Sequence, residues 1–289
     1  MHESVIAFQA ANRGKALRML LAAAVLWSSS GLLIKLIDWH PMAVASGRSA
    51  IAILTILLIT KKLPIFTFSS NQLIGATAYA ITVTTFVVAT TLTTAANAIM
   101  LQYTAPIHVA LLSGWLLKEK ITRKDWAIIT ITLAGMVLFF LDDLSVGNLW
   151  GNFIAILSGL AFGFLIVFLR KQKDSSTIDT VILGNILAFL LGIPFVLGSA
   201  TPDLSSSLGV VFLGIFQLGL PYFLYSVAIK HVTAMTASIT TLIEPLFNPI
   251  WVFLFLGEAP GPWSLLGGAL VLTSITAHSF IATRFHKPL

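Results

Sequence analysis

The 289 residues contain no cysteine. Disulfides, thiolate metal sites and thiol nucleophiles are excluded together, while the compartment stays open. Histidine is the only soft ligand left, and no two of the six histidines stand four apart on one helical face. No metal site is expected. Charge is scarce too: Asp, Glu, Lys and Arg make up 10% of the chain, against 57% hydrophobic residues and a mean hydropathy of +0.95. Such a balance lies outside the range of water-soluble domains and marks an integral membrane protein. Missing as well are an HExxH motif, a GxSG-type nucleophile elbow and any pair of carboxylates inside an apolar span. An intramembrane enzyme is therefore the weak alternative, with no catalytic residue to name beyond isolated serines such as Ser29 or Ser113.

The net charge of +6 could suggest nucleic acid, but the basic residues lie in short loops between apolar spans, where they set orientation. No nucleic-acid partner is expected; the partners are the lipid bilayer and a small solute.

The chain is organised around one stretch present twice. AANAIMLQYTAPIHVALLSGWLLKE runs from Ala95 to Glu119, and AMTASITTLIEPLFNPIWVFLFLGE runs from Ala234 to Glu258. Aligned without a gap at a constant separation of 139 residues, Ala95 falls on Ala234, Ala98 on Ala237, Pro106 on Pro245 and Glu119 on Glu258. That is close to half the chain, so the expected organisation is a duplicated unit.

Ten apolar spans can be read from the sequence, about as long as membrane crossings require. They are Leu17–Ile37, Met42–Thr60, Gln72–Leu92, Ala95–Leu117, Trp126–Leu141, Leu149–Leu169, Thr180–Ser199, Leu208–Ile229, Val232–Leu256 and Trp263–Thr283. Residues 1–16 read as a short cytosolic tail, 17–141 as one five-helix repeat and 149–283 as a second. With the amino terminus inside, 15 of the 17 Lys and Arg residues fall in cytosolic segments. The external loops carry Asp38, Asp142, Asp143, Asp203 and Glu258 and no Lys or Arg. Both termini are then cytosolic.

Because each repeat has an odd number of spans, the second must enter from the opposite side. KITRKD after Glu119 is basic and reads as cytosolic; APGP after Glu258 is uncharged and reads as external. The fold class expected is an all-α polytopic membrane protein with ten transmembrane helices in two inverted five-helix repeats. Inverted pairs of this kind point to secondary transporters, with the site near the midplane and alternating access as the mechanism. Nothing in the sequence sets the oligomeric state, and such a fold is competent as a monomer.

Proline inside a helix removes a donor and displaces the carbonyl four residues back. Pro106, Pro245 and Pro249 are expected as breaks where each repeat bends, lining a cavity that satisfies the freed groups; a simple packing kink is the bland reading. Glu244 lies about twelve residues into the ninth span and must face the protein interior. Thr236, Thr240, Glu244 and Asn248 are spaced by four and so share a slowly drifting face. Glu244 has two readings, a paired carboxylate that holds helices together or the charge of a solute wall.

The other candidate cavity residues are Trp27 and Ser30 in the first span, Tyr79 and Phe86 in the third, Asn97, Tyr103 and His108 in the fourth, and Gln217 and Tyr222 in the eighth. Aromatic rings with a few amide and hydroxyl groups suit small amphipathic solutes. Arg48, about two turns into the second span, either pairs with a carboxylate or backbone carbonyls or attracts a solute carboxylate. Lys35, near the outer end of its span, is expected to snorkel. Gly159 and Gly163 form a GxxxG that permits close approach.

The paired small-residue pattern with Pro and, thirteen residues later, Glu, together with LWSSSG in the first span and HPMAVASGRSAIA in the second, resembles the EamA type of the drug/metabolite transporter superfamily. The resemblance covers roughly residues 17–283, and within the family the chain is most similar to the YddG-type amino-acid exporters. It implies an inner-membrane exporter of amino acids or related metabolites, needing no cofactor, with the fifth and tenth helices peripheral. It also implies that Trp27 and Arg48 are the recurrent Trp and Arg of the first two helices and that Glu244 with Pro245 is the frequent EP pair. Ala105 precedes Pro106 in the first repeat, so Glu244 has no duplicate, and Ser28 stands where the family usually has glycine.

Overall fold

The computed structural model describes residues 2–139, 141, 148–247 and 261–285, and every regular element among them is helical. Six stretches are long and apolar enough to cross a bilayer: Pro41–Thr60, Ser70–Leu92, Ala95–Leu117, Leu149–Lys171, Thr177–Gly198 and Leu204–Ala228. The described residues are thus all-helical, in keeping with a polytopic membrane protein. Ala234–Phe247 is a shorter apolar stretch. The rest of the ninth expected span, with Asn248, Pro249 and Glu258, lies outside the described residues, as do Asp142 and Asp143.

The first span departs from expectation. Instead of one helix over Leu17–Ile37, α1 (His2–Trp27) begins upstream of Leu17 and stops at Trp27, and a short α2 (Ser30–Leu36) follows. At the break the Ser28 hydroxyl donates to the Val25 carbonyl at 2.6 Å and that of Ser29 to Leu26 at 3.0 Å. Serine side chains that satisfy carbonyls locally let a helix stop inside the bundle. Lys35, in the last turn of α2, is exposed.

Then come α3 (Pro41–Thr60) and α4 (Ser70–Leu92), whose starts are set by capping. Pro41 needs no N–H in the first turn, and the Ser69 hydroxyl accepts from the Gln72 amide. The fourth span is α5 (Ala95–Gln102), a break at Tyr103 and Thr104, α6 (Ala105–Leu112) and a π-helical end at Ser113–Leu117. Its counterpart is α12 (Ala234–Thr241), a break at Leu242 and Ile243 and a 3₁₀ turn at Glu244–Phe247. The caps recur at the same separation: the Thr94 hydroxyl accepts from Asn97 N at 3.0 Å and the Thr233 hydroxyl from Thr236 N at 3.1 Å. Because α12 ends at Thr241, Thr236, Thr240 and Glu244 do not share one continuous helical face. The 3₁₀ turn shifts Glu244 out of the register that spacing by four implies.

Between these lie α7 (Arg123–Phe139), α8 (Leu149–Lys171), α9 (Thr177–Gly198), and an eighth span made of α10 (Leu204–Phe212), a π-helical segment Leu213–Gly219 and α11 (Leu220–Ala228). Pro221 cannot donate to the carbonyl of Gln217. The ladder widens just before it, which places Gln217 in the π segment. The last helix is α13 (Pro262–Phe285), which packs chiefly on α7.

The most extensive helix pairing is between α4 and α8. The face of α8 toward the fourth span carries the GxxxG, whose role is sharper than general close approach. A Cβ on Gly159 would stand 2.7 Å from the Gln102 carbonyl oxygen and 2.8 Å from the Thr104 hydroxyl, and one on Gly163 would stand 2.7 Å from His108 Cβ. Real Cβ atoms do not approach so closely, so both glycines are required for α8 to lie against the break between α5 and α6.

Candidate solute cavity

A narrow internal cavity of about 30 Å³ lies where α1, α3, α4, α5, α8, the π segment, α11 and the 3₁₀ turn converge. Both halves of the chain contribute to it. Its size suits a water or two and not a larger solute.

Arg48 and Glu244 both line this cavity, 1% and 8% exposed, and no ion pair joins them. Each charge costs roughly 3 kcal/mol near the centre of a membrane helix, so each must be compensated by hydrogen bonds. For Arg48 the partners are an amide and a carbonyl, not a carboxylate. One terminal nitrogen donates to Gln217 Oε1 at 2.8 Å and the other to the Val83 carbonyl at 2.6 Å. Its Nε has no partner. Glu244 accepts a hydrogen bond from the Tyr103 hydroxyl.

The walls are aromatic. The Trp27 ring lies 4.9 Å from that of Tyr222 and meets Phe162 edge-on at 5.9 Å, with Phe86 completing the lining. The Trp27 indole N–H is buried and makes no hydrogen bond. The cavity wall thus holds two unpaired N–H donors, on Trp27 and Arg48, and one carboxylate, with rings around them.

Of the expected cavity residues, Trp27, Arg48, Phe86, Gln217, Tyr222 and Glu244 come together on this surface, with Tyr103 bound directly to Glu244. Tyr79 stands one layer back, its ring edge-on to Tyr222 at 4.6 Å and its hydroxyl accepting from Asn185 Nδ2 at 2.9 Å. Four others are elsewhere. Asn97 is joined to Thr93 and Asn152 at the capped start of α5. The Thr240 hydroxyl is turned back on the Thr236 carbonyl at 2.7 Å. His108 packs against α8 at Gly163, and Ser30 is buried in the first turn of α2 without reaching the cavity. Pro106 and Pro245 each follow the break in their helix.

Sequence reasoning omitted Gln102 and Phe162 from the site. Gln102, which lines the cavity and donates to the Ser158 hydroxyl at 2.8 Å, is polar in an apolar span and sits four residues before Pro106. That signal was available. Phe162 is one of twenty phenylalanines and carries no such mark.

A second cavity of about 70 Å³, with charged and hydroxyl side chains among its lining residues, lies at the end of the molecule where Lys and Arg concentrate. Glu119, Lys120, Asp125, Thr233, Thr236 and His278 are among its walls. Above it Arg170 Nε meets Glu119 Oε1 at 3.0 Å in an ion pair 4% and 13% exposed. His231 lies in the nearby loop between α11 and α12. Burial first, then Lys230, Arg170 and Lys15, hold its pKa below the ordinary histidine value.

The sequence pattern of the EamA-like transporter family matches residues 14–141 and again 149–280. The chain belongs to the EamA-like transporter family. Among its relatives, an uncharacterized transporter of Archaeoglobus fulgidus is 30% identical over 68% of this chain and 71% of its own length. The uncharacterized transporter YdfC of Bacillus subtilis is 27% identical over 61% of this chain and 60% of its own length. The pseudopaline exporter CntI of Pseudomonas aeruginosa is 26% identical over 64% and 66%. A solved crystal structure superposes with a TM-score of 0.80 at 18% identity, over 94% of this chain and all of the other, and this likeness is one of fold. EamA membership makes the chain a transporter and an enzyme unlikely.

Proposed function

We propose that this EamA-family transporter is a secondary carrier that exports amino acids, aromatic and other neutral ones included, or related small metabolites. It works across the cytoplasmic membrane by alternating access and without a cofactor. The observation that carries this reading is the presence of buried Arg48 and buried Glu244 on one cavity with no ion pair between them. Opposite charges held apart in an apolar surround suit a solute that brings its own carboxylate and ammonium. The flanking rings of Trp27, Phe162 and Tyr222 suit an apolar or aromatic side chain. In this reading the YddG-type exporters remain the nearest functional parallel, and the oligomeric state is left open.

The fold that serves it is a bundle of ten membrane helices in two inverted repeats, 17–141 and 149–283, with both termini in the cytosol. Support comes from the helix breaks and the threonine caps that recur 139 residues apart, and from the family pattern matching each half separately. A second reading, export of a larger metabolite, is favoured by the relative named as a pseudopaline exporter. Reconstitution into liposomes with a panel of labelled amino acids, with and without a proton gradient, separates the two. Saturable counterflow of neutral and aromatic amino acids supports the first, and its absence across the panel rejects it.

A further inference from the structure

The short helix α12 reaches from the larger second cavity toward the central one. Met235 and Thr236, in the first turn of α12, line the second cavity, while Glu244, three residues beyond its last, lines the central one. Eight helical residues span about 12 Å, so the two cavities lie near opposite ends of one short helix.

That helix packs on α1, α6, α8 and α13, and its polar anchoring is gathered at its first residue. Glu119 follows the π-helical end of the fourth span, after a turn in which Lys118 adopts φ 56°. One carboxylate oxygen accepts from Arg170 Nε at 3.0 Å, and the other accepts from the Ala234 amide at 3.1 Å, the free N–H at the start of α12. The Arg170 guanidinium also donates to the carbonyls of Ile229 at 3.3 Å and Lys230 at 2.9 Å, which follow α11. One nearly buried pair therefore ties the fourth span to α8, to the end of α11 and to the start of α12. The planar fork of arginine makes three of these bonds at once, which a point charge cannot do.

We propose that Glu119, Arg170 and the start of α12 form the gate on the basic side of the transporter, and that solute enters through the second cavity, beside Thr236. A few hydrogen bonds from one carboxylate keep α12 against the fourth span; when they part, α12 swings away and the two cavities join. Truncating one partner of a buried pair leaves the other charge unsatisfied, so either loss favours the open arrangement. The proposal rests on the transporter family and not on the identity of the solute.

The chain has no cysteine, so a single Thr236→Cys or Ser238→Cys in the otherwise unchanged full-length protein gives a clean probe. Both positions are 2% exposed, and of the two only Thr236 lines the second cavity. The measurement is the rate of labelling by a membrane-impermeant maleimide, in right-side-out and inside-out vesicles. Glu119→Gln and Arg170→Gln are expected to speed labelling of Thr236→Cys from the basic side by about tenfold or more, leaving Ser238→Cys slow. If either variant fails to assemble, Arg170→Lys, which keeps the charge and loses the fork, is expected to give an intermediate rate. An unchanged rate in the folded variants overturns the gate. So does equal acceleration at Ser238→Cys, the sign of local unfolding, or labelling of Thr236→Cys only from the opposite face.

Discussion

The Tyr103 hydroxyl donates a hydrogen bond to the Glu244 carboxylate, and that single bond joins the break of the fourth span to the break of the ninth. Tyr103 is the first residue after α5, and Glu244 opens the 3₁₀ turn after α12. The charge of the cavity and the two bends of the bundle are therefore one unit. Under the proposed function, a solute ammonium would take the carboxylate from Tyr103 and so uncouple the two breaks.

Removing either end of this bond has a defined outcome. Tyr103→Phe deprives a buried carboxylate of a donor, a loss of about 1.5–3 kcal/mol for hydrogen bonds to charged groups. The expected result is a fall in transport of about tenfold or more at unchanged membrane expression. Glu244→Gln keeps shape and one acceptor but removes the charge, and transport should weaken most for solutes with a free amino group. Folded variants that carry the whole panel at the wild-type rate would remove the cavity role from this pair.

The two prolines act through the backbone. Pro106→Ala and Pro245→Ala restore an N–H and favour a straight helix through each break. Export is expected to drop severalfold in each variant while insertion and folding are preserved, by size-exclusion profile and thermal unfolding. Wild-type rates in both would leave the prolines with packing alone.

Gly159 is predicted to be intolerant of any side chain. A valine there meets the Gln102 carbonyl and the Thr104 hydroxyl within contact distance, so α8 must move off the break of the fourth span. Gly159→Val should lower the unfolding temperature by several degrees and abolish transport, the cost of overpacking being about 1–3 kcal/mol. Gly114, with nothing within 4 Å of an added Cβ, is the control: Gly114→Ala should be near neutral.

Much of this architecture was legible in the sequence, for identifiable reasons. Apolar length marked α3, α4 and α8 to within about two residues, because a bilayer enforces a minimum run. Prolines at matching places marked the broken spans. The break at Ser28 and Ser29 was not legible, since serine is tolerated in unbroken helices and only its neighbours decide. Within the site, charge and position singled out Arg48 and Glu244. Spacing by four misplaced Thr240, because an unbroken helix was assumed where the chain turns at Leu242. Asn97 and His108 looked similar to Gln102 on paper, and only the packing of α8 shows which one reaches the cavity. The partner of Glu119 lay 51 residues away and carried no local sign.

Orientation is tested by reporter fusions. A fusion at Leu289 is expected to report the cytosol and one in the loop after Leu141 the outside, given the concentration of Lys and Arg at one end of the bundle. The reverse pattern would invert the gate as well as the direction of transport.

The central claim, that Arg48 and Glu244 receive the two ends of one zwitterionic solute, is tested most directly by counterflow in liposomes using matched solutes. A labelled neutral amino acid is competed with its decarboxylated amine and its deaminated acid, in wild type, Arg48→Gln and Glu244→Gln. The zwitterion is expected to compete at least about tenfold better than either analogue in wild type, the amine to gain relative to the acid in Arg48→Gln, and the acid to gain in Glu244→Gln. Equal competition by all three in wild type, or identical preferences in the two variants, would contradict the account.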